Sequence, residues 1–118
     1  WVWGQNPYGQ LGDGTTTDRT IPEQVKSDIK FSEISAGNTH SIAIDDKGNL
    51  WTWGQNDKGQ LGDGTTTNRT TPVQIKAGIK FTNVCARGND SSFALDSGKD
   101  ADATEDSSKV ELIIMNII

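Results

Sequence analysis

A stretch of about twenty residues occurs twice in this chain. WVWGQNPYGQLGDGTTTDRT occupies residues 1–20, and WTWGQNDKGQLGDGTTTNRT occupies residues 51–70. When residues 1–31 are aligned with residues 51–81, 22 of the 31 positions are identical. A repeat of this length indicates one supersecondary unit that stacks on copies of itself, because a single unit cannot bury its own apolar face.

Short alternating runs separated by turn signals predict that this unit is built from strands. Residues 40–44 and 50–53 flank the sequence Asp-Asp-Lys-Gly-Asn, a pattern that predicts a tight hairpin. The segment GQLGDGTTT is too rich in Gly and Thr for a helix. Residues 72–76 and 81–85 supply two more short runs. Four antiparallel strands in about 50 residues predict the blade of an all-β protein, a β-propeller.

Several short motifs, in a fixed order and spacing, resemble the repeat of the regulator of chromosome condensation family. They are Ala36-Gly37 followed by His40, the Asp-Lys-Gly-Asn turn, Leu50-Trp-Thr-Trp-Gly, Gly59-Gln-Leu-Gly and Pro72. The resemblance covers about Trp1 to Asp96 and implies propeller blades of four antiparallel strands. The family that it implies includes guanine-nucleotide exchange factors, ubiquitin-ligase subunits, a plant photoreceptor and bacterial inhibitor proteins.

The repeats predict a division of the chain into propeller and tail. Residues 1–98 are assigned to the propeller as the second half of a blade, a full blade and the first half of another, at residues 1–30, 31–80 and 81–98. Residues 99–109 are acidic and polar, which predicts a linker or loop. Residues 110–118 are apolar and β-prone, and would replace a missing strand, begin another domain or form an aggregation-prone end.

The chain holds only about two blade-equivalents, whereas propellers usually close with roughly four to eight blades. We therefore expect either a piece of a longer protein or a chain that completes its ring as a homo-oligomer. In the second case, half-blades from different chains would join into whole blades and hide the strand edges.

Charge and composition exclude several classes of partner. The formal net charge is −5, and Lys and Arg form no cluster, so no nucleic-acid partner is expected. No apolar run approaches the roughly 20 residues that span a bilayer, so no membrane span is expected. The single cysteine, Cys85, excludes an internal disulfide framework. It aligns with Ser35, which predicts a small core residue rather than a reactive thiol.

No constellation of residues indicates catalysis, a metal or a cofactor, and none is expected. The Gly-rich loops lack the Gly-x-x-x-x-Gly-Lys-Ser/Thr pattern that binds phosphate. Asp13 and Asp63 are predicted to bond turn amides, because GDGTTTD offers too few oxygen ligands for calcium. Structural roles are predicted for Trp1, Trp3, Trp51, Trp53, Gly12, Gly62 and the only histidine, His40.

Positions that differ between the two copies in chemistry predict the binding surface. In the predicted blade order, the loop after Trp-x-Trp-Gly and the turn around Asn38 emerge on the same face of the ring. The residues expected to contact a protein partner there are Tyr8, Asn38, Thr39, Asp57, Lys58, Arg87, Asn89 and Asp90. The leading hypothesis is a non-enzymatic protein-protein interaction module on a rigid scaffold.

Other functions remain open at the level of sequence. One is a guanine-nucleotide exchange factor-like regulator of a small GTPase. Another is a bacterial enzyme inhibitor or surface protein, since near-identical repeats resemble those of bacterial members, which are often secreted or on the cell surface. A third is a hydrolase that pairs Asp13 and Asp63 across blades, although equivalent residues of a propeller spread around a circle.

Overall fold

A computed structural model describes residues 1–25, 28–100 and 112–114, with side-chain surroundings for residues 1–25 and 28–97. These residues form an all-β structure, as the sequence predicts, and contain no helix that is long and apolar enough to cross a membrane. The strands of the described part are β1 Val2–Gly4, β2 Arg19–Glu23, β3 Phe31–Ala36, β4 His40–Asp45, β5 Leu50–Gly54, β6 Arg69–Ile75, β7 Ile79–Arg87, β8 Ser91–Asp100 and β9 Leu112–Ile114.

The central sheet is a complete four-stranded blade with the order β3-β4-β5-β6, and all of its neighbours are antiparallel. The turn between β4 and β5 is held by the carboxylate of Asp45. Its Oδ1 accepts hydrogen bonds from the backbone N–H groups of Lys47 (2.9 Å) and Asn49 (2.8 Å). Its Oδ2 accepts one from Trp51 Nε1 at 3.0 Å. An Asp side chain that closes its own turn accounts for the predicted hairpin.

The two flanking sheets are incomplete blades. β1 and β2 form a two-stranded sheet, and β7, β8 and β9 form a three-stranded sheet. β8 includes Lys99 and Asp100, the first two residues of the predicted linker. The other residues of that linker, 101–109, lie outside the described part. Within the tail, β9 takes the position of a third strand, which is one of the three alternatives that the sequence leaves open. The division at residues 30, 80 and 98 stays a prediction.

The hydrophobic core lies between the central sheet and the β7-β8-β9 sheet. Ile42 and Ile44 of β4 and Leu50 of β5 are 0 to 3% exposed, and they pack with Phe81 and Ala94 of the next sheet. Every residue of β4 is buried. Because the cluster draws side chains from both sheets, each sheet depends on its neighbour for burial of its apolar face.

Hydrogen bonds lock consecutive sheets together. The backbone N–H of Ala86 in β7 donates to Ser35 Oγ in β3 at 3.0 Å, and the N–H of Asn38 donates to the carbonyl of Gly88 at 2.7 Å. His40, which is 0% exposed, contacts the carbonyl of Ser91 through Nε2 at 3.1 Å. A carbonyl accepts and does not donate, so Nε2 carries the proton, and the neutral imidazole acts as a clamp between the sheets.

The first half-blade is attached to the central sheet through the carbonyl oxygen of Gln10. This oxygen accepts hydrogen bonds from Ser41 Oγ and from Trp53 Nε1, both at 2.9 Å. Gly12 lies against the same indole, with φ at +74°, and a Cβ placed on it would lie 2.6 Å from Trp53 Nε1. Trp53 is buried and Trp51 is half-buried, whereas Trp1 and Trp3 are exposed.

Replacing His40 with Gln should change the pH dependence of stability. Burial lowers the pKa of His40 below its ordinary 6.5, and Nδ1 has no hydrogen-bond partner among the described residues. The unfolded chain therefore takes up a proton at His40 near pH 6.5, and the folded chain takes it up only at lower pH. The free energy of unfolding should fall as pH drops below 6.5, by at most about 1.4 kcal/mol per pH unit.

Urea unfolding between pH 7 and pH 5 would measure this slope. His40→Gln should flatten it, because the chain has no other histidine. The pKa values of Asp13, Asp45 and Asp63 lie below 3.8, so these carboxylates lose their contribution only in more acidic solution. An equal slope in the variant would contradict the assignment of His40 as a buried neutral group.

Replacing Gly12 with Ala should destabilise the chain more than replacing Gly64 with Ala. Both glycines have positive φ (+74° and +79°), so both substitutions strain the backbone by roughly 1–2 kcal/mol. A Cβ at Gly64 meets nothing within 4 Å, whereas one at Gly12 meets Trp53. Overpacking should add about 1–3 kcal/mol for Gly12→Ala. Thermal unfolding of the two variants would test this difference in stability. Equal losses of stability would show that the contact with Trp53 can accommodate a methyl group without strain.

Candidate protein-binding face

Two long loops and two short turns share one end of the sheets. The loops at residues 5–18 and 55–68 join β1 to β2 and β5 to β6, and the turns at residues 37–39 and 88–90 join β3 to β4 and β7 to β8. Since consecutive strands are antiparallel, alternate connections emerge at the same end. We call this end the loop face. The turn at residues 46–49 lies at the opposite end.

Each long loop is held by one buried asparagine. Asn56 is 0% exposed, and its Nδ2 lies 3.0 Å from the carbonyl oxygens of both Thr65 and Thr67 and from Asp63 Oδ1. Its Oδ1 accepts a hydrogen bond from the N–H of Leu61 at 3.0 Å. Asn6 is equally buried and makes the same set of contacts in the first loop. Each loop therefore has a defined shape without regular secondary structure.

The carboxylates of Asp13 and Asp63 are engaged inside the loops. Asp63 Oδ1 accepts hydrogen bonds from the N–H (2.9 Å) and the Oγ1 (2.7 Å) of Thr65, and Oδ2 pairs with Arg69 Nε at 2.9 Å. Burial acts to raise the pKa of Asp63, but the bonds from Thr65 and Arg69 outweigh it, and the pKa is lowered. Asp13 has the same arrangement with Thr15 and Arg19.

These bonds leave little capacity for chemistry at the two aspartates. A carboxylate with a lowered pKa and bonds to both oxygens is a poor proton donor and a poor free ligand. Within the described ranges, no group of three or more His, Cys, Asp or Glu residues is arranged to hold a metal ion. The arrangement serves the shape of the loop.

An open groove of about 1170 Å³ lies on the loop face, between the second long loop and the turn at residues 88–90. One wall is formed by Gly59, Gly62, Gly64 and residues 65–67. Lys58 and Asp90 stand on opposite sides with Nζ and Oδ2 4.0 Å apart, and both side chains are more than half exposed. An exposed ion pair at this distance contributes little to stability, so both charges remain available to a partner.

The structure brings together about half of the residues predicted for partner contact. Asp57, Lys58 and Asp90 line the groove, and the carbonyl of Asn89 accepts a hydrogen bond from Gln60 Nε2 at 3.0 Å.

The remaining candidates lie around the groove or apart from it. Asn38 is exposed and adjoins the turn at residues 88–90 through its N–H, and the carbonyl of Thr39 accepts from the N–H of Gln55 at 2.9 Å. Arg87 is exposed at the end of β7. Tyr8 is half-buried in the first long loop and does not line the groove.

Sequence reasoning missed the residues that shape this face. Asn6, Asn56, Gln10 and Gln60 are identical between the copies, and Asn6, Asn56 and Gln60 are 0% exposed. The available signal was their identity: a polar residue retained at the same place in two loops indicates a buried hydrogen-bonding role. Differences between the copies indicate surface residues and give no information on these identical, buried residues.

Replacing Asn56 with Ala should loosen the second loop. The change leaves the buried N–H of Leu61 without its partner, which costs about 1–3 kcal/mol, and it removes the bonds to the carbonyls of the exposed Thr65 and Thr67. We expect a loss of about 3 kcal/mol in urea unfolding. Thr66→Ala, at an exposed position of the same loop, should stay within about 0.5 kcal/mol of the parent. Similar losses in both variants would contradict the role given to Asn56.

Comparison with known proteins identifies relatives that match part of this chain. The ultraviolet-B receptor UVR8 of Arabidopsis thaliana is 36% identical over 50 residues, which are 41% of this chain and 11% of the receptor. The probable E3 ubiquitin-protein ligase HERC4 of Homo sapiens is 47% identical over 45 residues, which are 36% of this chain and 4% of the ligase. The chain thus spans a small part of these relatives. A bacterial origin stays a prediction.

Solved structures share the fold at low sequence identity. Human WBSCR16 superposes with a TM-score of 0.66 at 21% identity, covering 94% of this chain and 33% of WBSCR16. Yeast RCC1 (Prp20), solved with Kap60 bound, superposes with a TM-score of 0.61 at 24% identity, covering 78% of this chain and 24% of the other. The predicted propeller fold is confirmed, and the chain forms a partial propeller.

The sequence pattern of the repeat accounts for most of the chain. The pattern described as "Regulator of chromosome condensation (RCC1) repeat" matches residues 1–44 and 47–95, and a second pattern of the same description matches residues 31–60. These ranges include the three sheets up to β8, both long loops and the groove. The resemblance inferred from the motifs is therefore confirmed, and this chain belongs to the RCC1 repeat family.

Proposed function

We propose that this chain is a non-enzymatic protein-protein interaction module that binds a protein partner through the loop face. The observation that carries the proposal is that different residues of the second long loop hold its backbone and line the groove. Asn56, Asp63 and Gln60 fix the backbone, while the neighbouring Asp57 and Lys58 are exposed and line a groove. A rigid frame with exposed side chains that differ between copies is typical of a binding surface.

The exposed charges beside the groove suit a polar segment of a protein partner. The charged residues of the groove are Asp57, Lys58 and Asp90, and one of its walls is formed by glycines and threonines. Such a lining offers hydrogen bonds to the main chain and polar side chains of a partner. RCC1-repeat propellers are generally binding or regulatory modules, and the yeast relative was solved with a protein bound, which supports this class of ligand.

Two other functions implied by the family remain predictions. They are nucleotide exchange on a small GTPase and inhibition of an enzyme. The match to each solved relative covers a third or less of that protein, so the activities of the whole relatives do not transfer to this chain by similarity alone. Catalysis by paired Asp13 and Asp63 is disfavoured by their bonds to Arg19 and Arg69.

Substitution of the charged rim should remove partner binding without unfolding the chain. The test variant combines Asp57→Ala, Lys58→Ala and Asp90→Ala, all at exposed positions. The matched control combines Asp46→Ala and Lys47→Ala, exposed in the turn at the opposite end. Proteins from an extract of the source organism that are retained by immobilised parent and control should be lost from the test variant.

Quantitative mass spectrometry of the retained proteins would measure this difference. We expect a specific set of proteins to be depleted by roughly tenfold or more with the rim variant, since a loss of about 1.4 kcal/mol of binding energy has that effect. Equal retention by all three chains would overturn the assignment of the loop face. Circular dichroism and thermal unfolding of each variant would verify that the fold is intact.

A further inference from the structure

The turn at residues 88–90 is held to the central sheet by hydrogen bonds to carbonyl oxygens. The carbonyl of Gly88 accepts from the N–H of Asn38 at 2.7 Å, and the carbonyl of Ser91, next to the turn, accepts from Nε2 of His40 at 3.1 Å. All three residues of the turn are exposed, whereas His40 is 0% exposed. A buried side chain thus helps to fix the position of an exposed turn.

This turn also forms part of the groove on the loop face. Asp90 and Ser91 line the groove, and the carbonyl of Asn89 accepts from Gln60 Nε2 of the second long loop at 3.0 Å. A displacement of the turn would break the bond to Gln60 and move Asp90 away from the charged residues on the other side. The imidazole of His40 therefore contributes to the shape of the groove without lining it.

The immediate surroundings of the imidazole suit its neutral form. Nδ1 is buried and has no hydrogen-bond partner among the described residues. The ring lies against Gly37 of its own hairpin, where a Cβ would be 2.5 Å from Cε1 and 2.8 Å from Nδ1. Gly54 of β5 pairs with His40, and Gln10 of the first long loop lines a common cleft with it. None of these three neighbours carries a charge, and an imidazolium would place a second N–H, at Nδ1, among them.

The charged residues on this side of the ring lie at the surface. The side chain of Asp90 is about half exposed, and its Oδ2 is 4.0 Å from Nζ of Lys58. Arg87 of β7 pairs with Ser91 across the hairpin and is exposed. Burial lowers the pKa of His40, and the bond to Ser91 and the attraction of Asp90 offset only part of this effect. The folded chain at pH 7 therefore holds a neutral imidazole in this place.

We propose that protonation of His40 releases the turn at residues 88–90 and thereby weakens partner binding in the groove. A protonated ring carries a buried charge and an Nδ1–H without an acceptor, and both are costly. Release of the turn admits water to the ring at the cost of the hydrogen bonds to the turn. An exposed turn opens locally at a lower free energy than the whole chain unfolds. The effect on binding rests on the proposed function, whereas the release of the turn does not.

Amide hydrogen exchange of the full chain, measured residue by residue by NMR between pH 7 and pH 5, tests the release. The reporter is the N–H of Asn38, which donates to the turn, and the control is the N–H of Asn49, which donates to Asp45 at the opposite end. After correction for the intrinsic exchange rate, the protection of Asn38 should fall by up to about tenfold per pH unit below pH 6.5. The protection of Asn49 should fall by much less.

Two results would overturn the release of the turn. An equal fall at both amides would show that the whole chain opens together. Constant or rising protection at Asn38 would show that the fold accommodates the protonated ring, for example by a bond from Nδ1 to the carbonyl of Gly88.

His40→Gln is the matched variant, because its side-chain amide can donate to the carbonyl of Ser91 but does not titrate. The protection of Asn38 in this variant should be the same at pH 5 and pH 7. Asp90→Asn keeps the imidazole and removes the charge that favours its protonation, so it should enlarge the fall between pH 7 and pH 5. An unchanged pH dependence in His40→Gln would assign it to another group and contradict the proposal.

Retention of partner proteins by the immobilised chain at pH 7 and pH 5 tests the consequence for binding. The relevant proteins are those lost from the variant with Asp57→Ala, Lys58→Ala and Asp90→Ala. The parent should retain them at least about threefold less at pH 5, because the apparent affinity falls in proportion to the fraction of chains with a closed turn. His40→Gln should retain them equally at both pH values.

The two parts of the proposal fail in different ways. Equal retention by the parent at both pH values would overturn the control of binding by His40. If the parent retains no protein at pH 7, the proposed function fails, and hydrogen exchange alone decides whether the turn is released.

Discussion

The carbonyl oxygen of Gln10 is the point through which the loop of one repeat and the sheet of the next depend on each other. It accepts from the hydroxyl of Ser41 and from the indole of Trp53, two residues on neighbouring strands. Because Gly12 packs on the same indole, the loop, the tryptophan and the sheet are fixed together. Removal of the Ser41 hydroxyl or of the Trp53 indole would break a hydrogen bond that joins the first half-blade to the central sheet.

The sequence was sufficient for the fold and for part of the face. Alternation in residues 40–44 and 50–53, with an Asp-x-x-Gly turn between them, predicts the β4–β5 hairpin, because a hairpin is a local structure. The repeat period extends that local prediction to a propeller, because each blade has the same strand order as its neighbour. The grouping of Asp57, Lys58 and Asp90 also follows from the repeat, because antiparallel connections alternate between two ends.

What escaped prediction is set by contacts that are distant in sequence. Trp3 and Trp53 stand in the same motif, yet one is 60% and the other 3% exposed, since burial depends on the presence of a neighbouring strand. The sequence left the pairing of β9 with β8 as one of three alternatives, because the acidic residues between the two strands carry no turn or strand pattern that would choose among them. The role of Asn56 depends on its hydrogen bonds to residues 61–67. The periodicity of hydrophobic residues in the sequence gives no information on such bonds.

The buried asparagines also bear on the thermodynamics of recognition. A loop of this length without regular structure normally loses considerable conformational entropy when a partner orders it. In this chain the side chain of Asn56 bonds to three points of the loop backbone. The loop therefore loses this conformational entropy when the chain folds, before a partner binds. Side chains such as Asp57 and Lys58 can then differ from one repeat to another while the backbone of the loop keeps its shape. Different binding specificities can therefore arise with only a small loss of conformational entropy on binding.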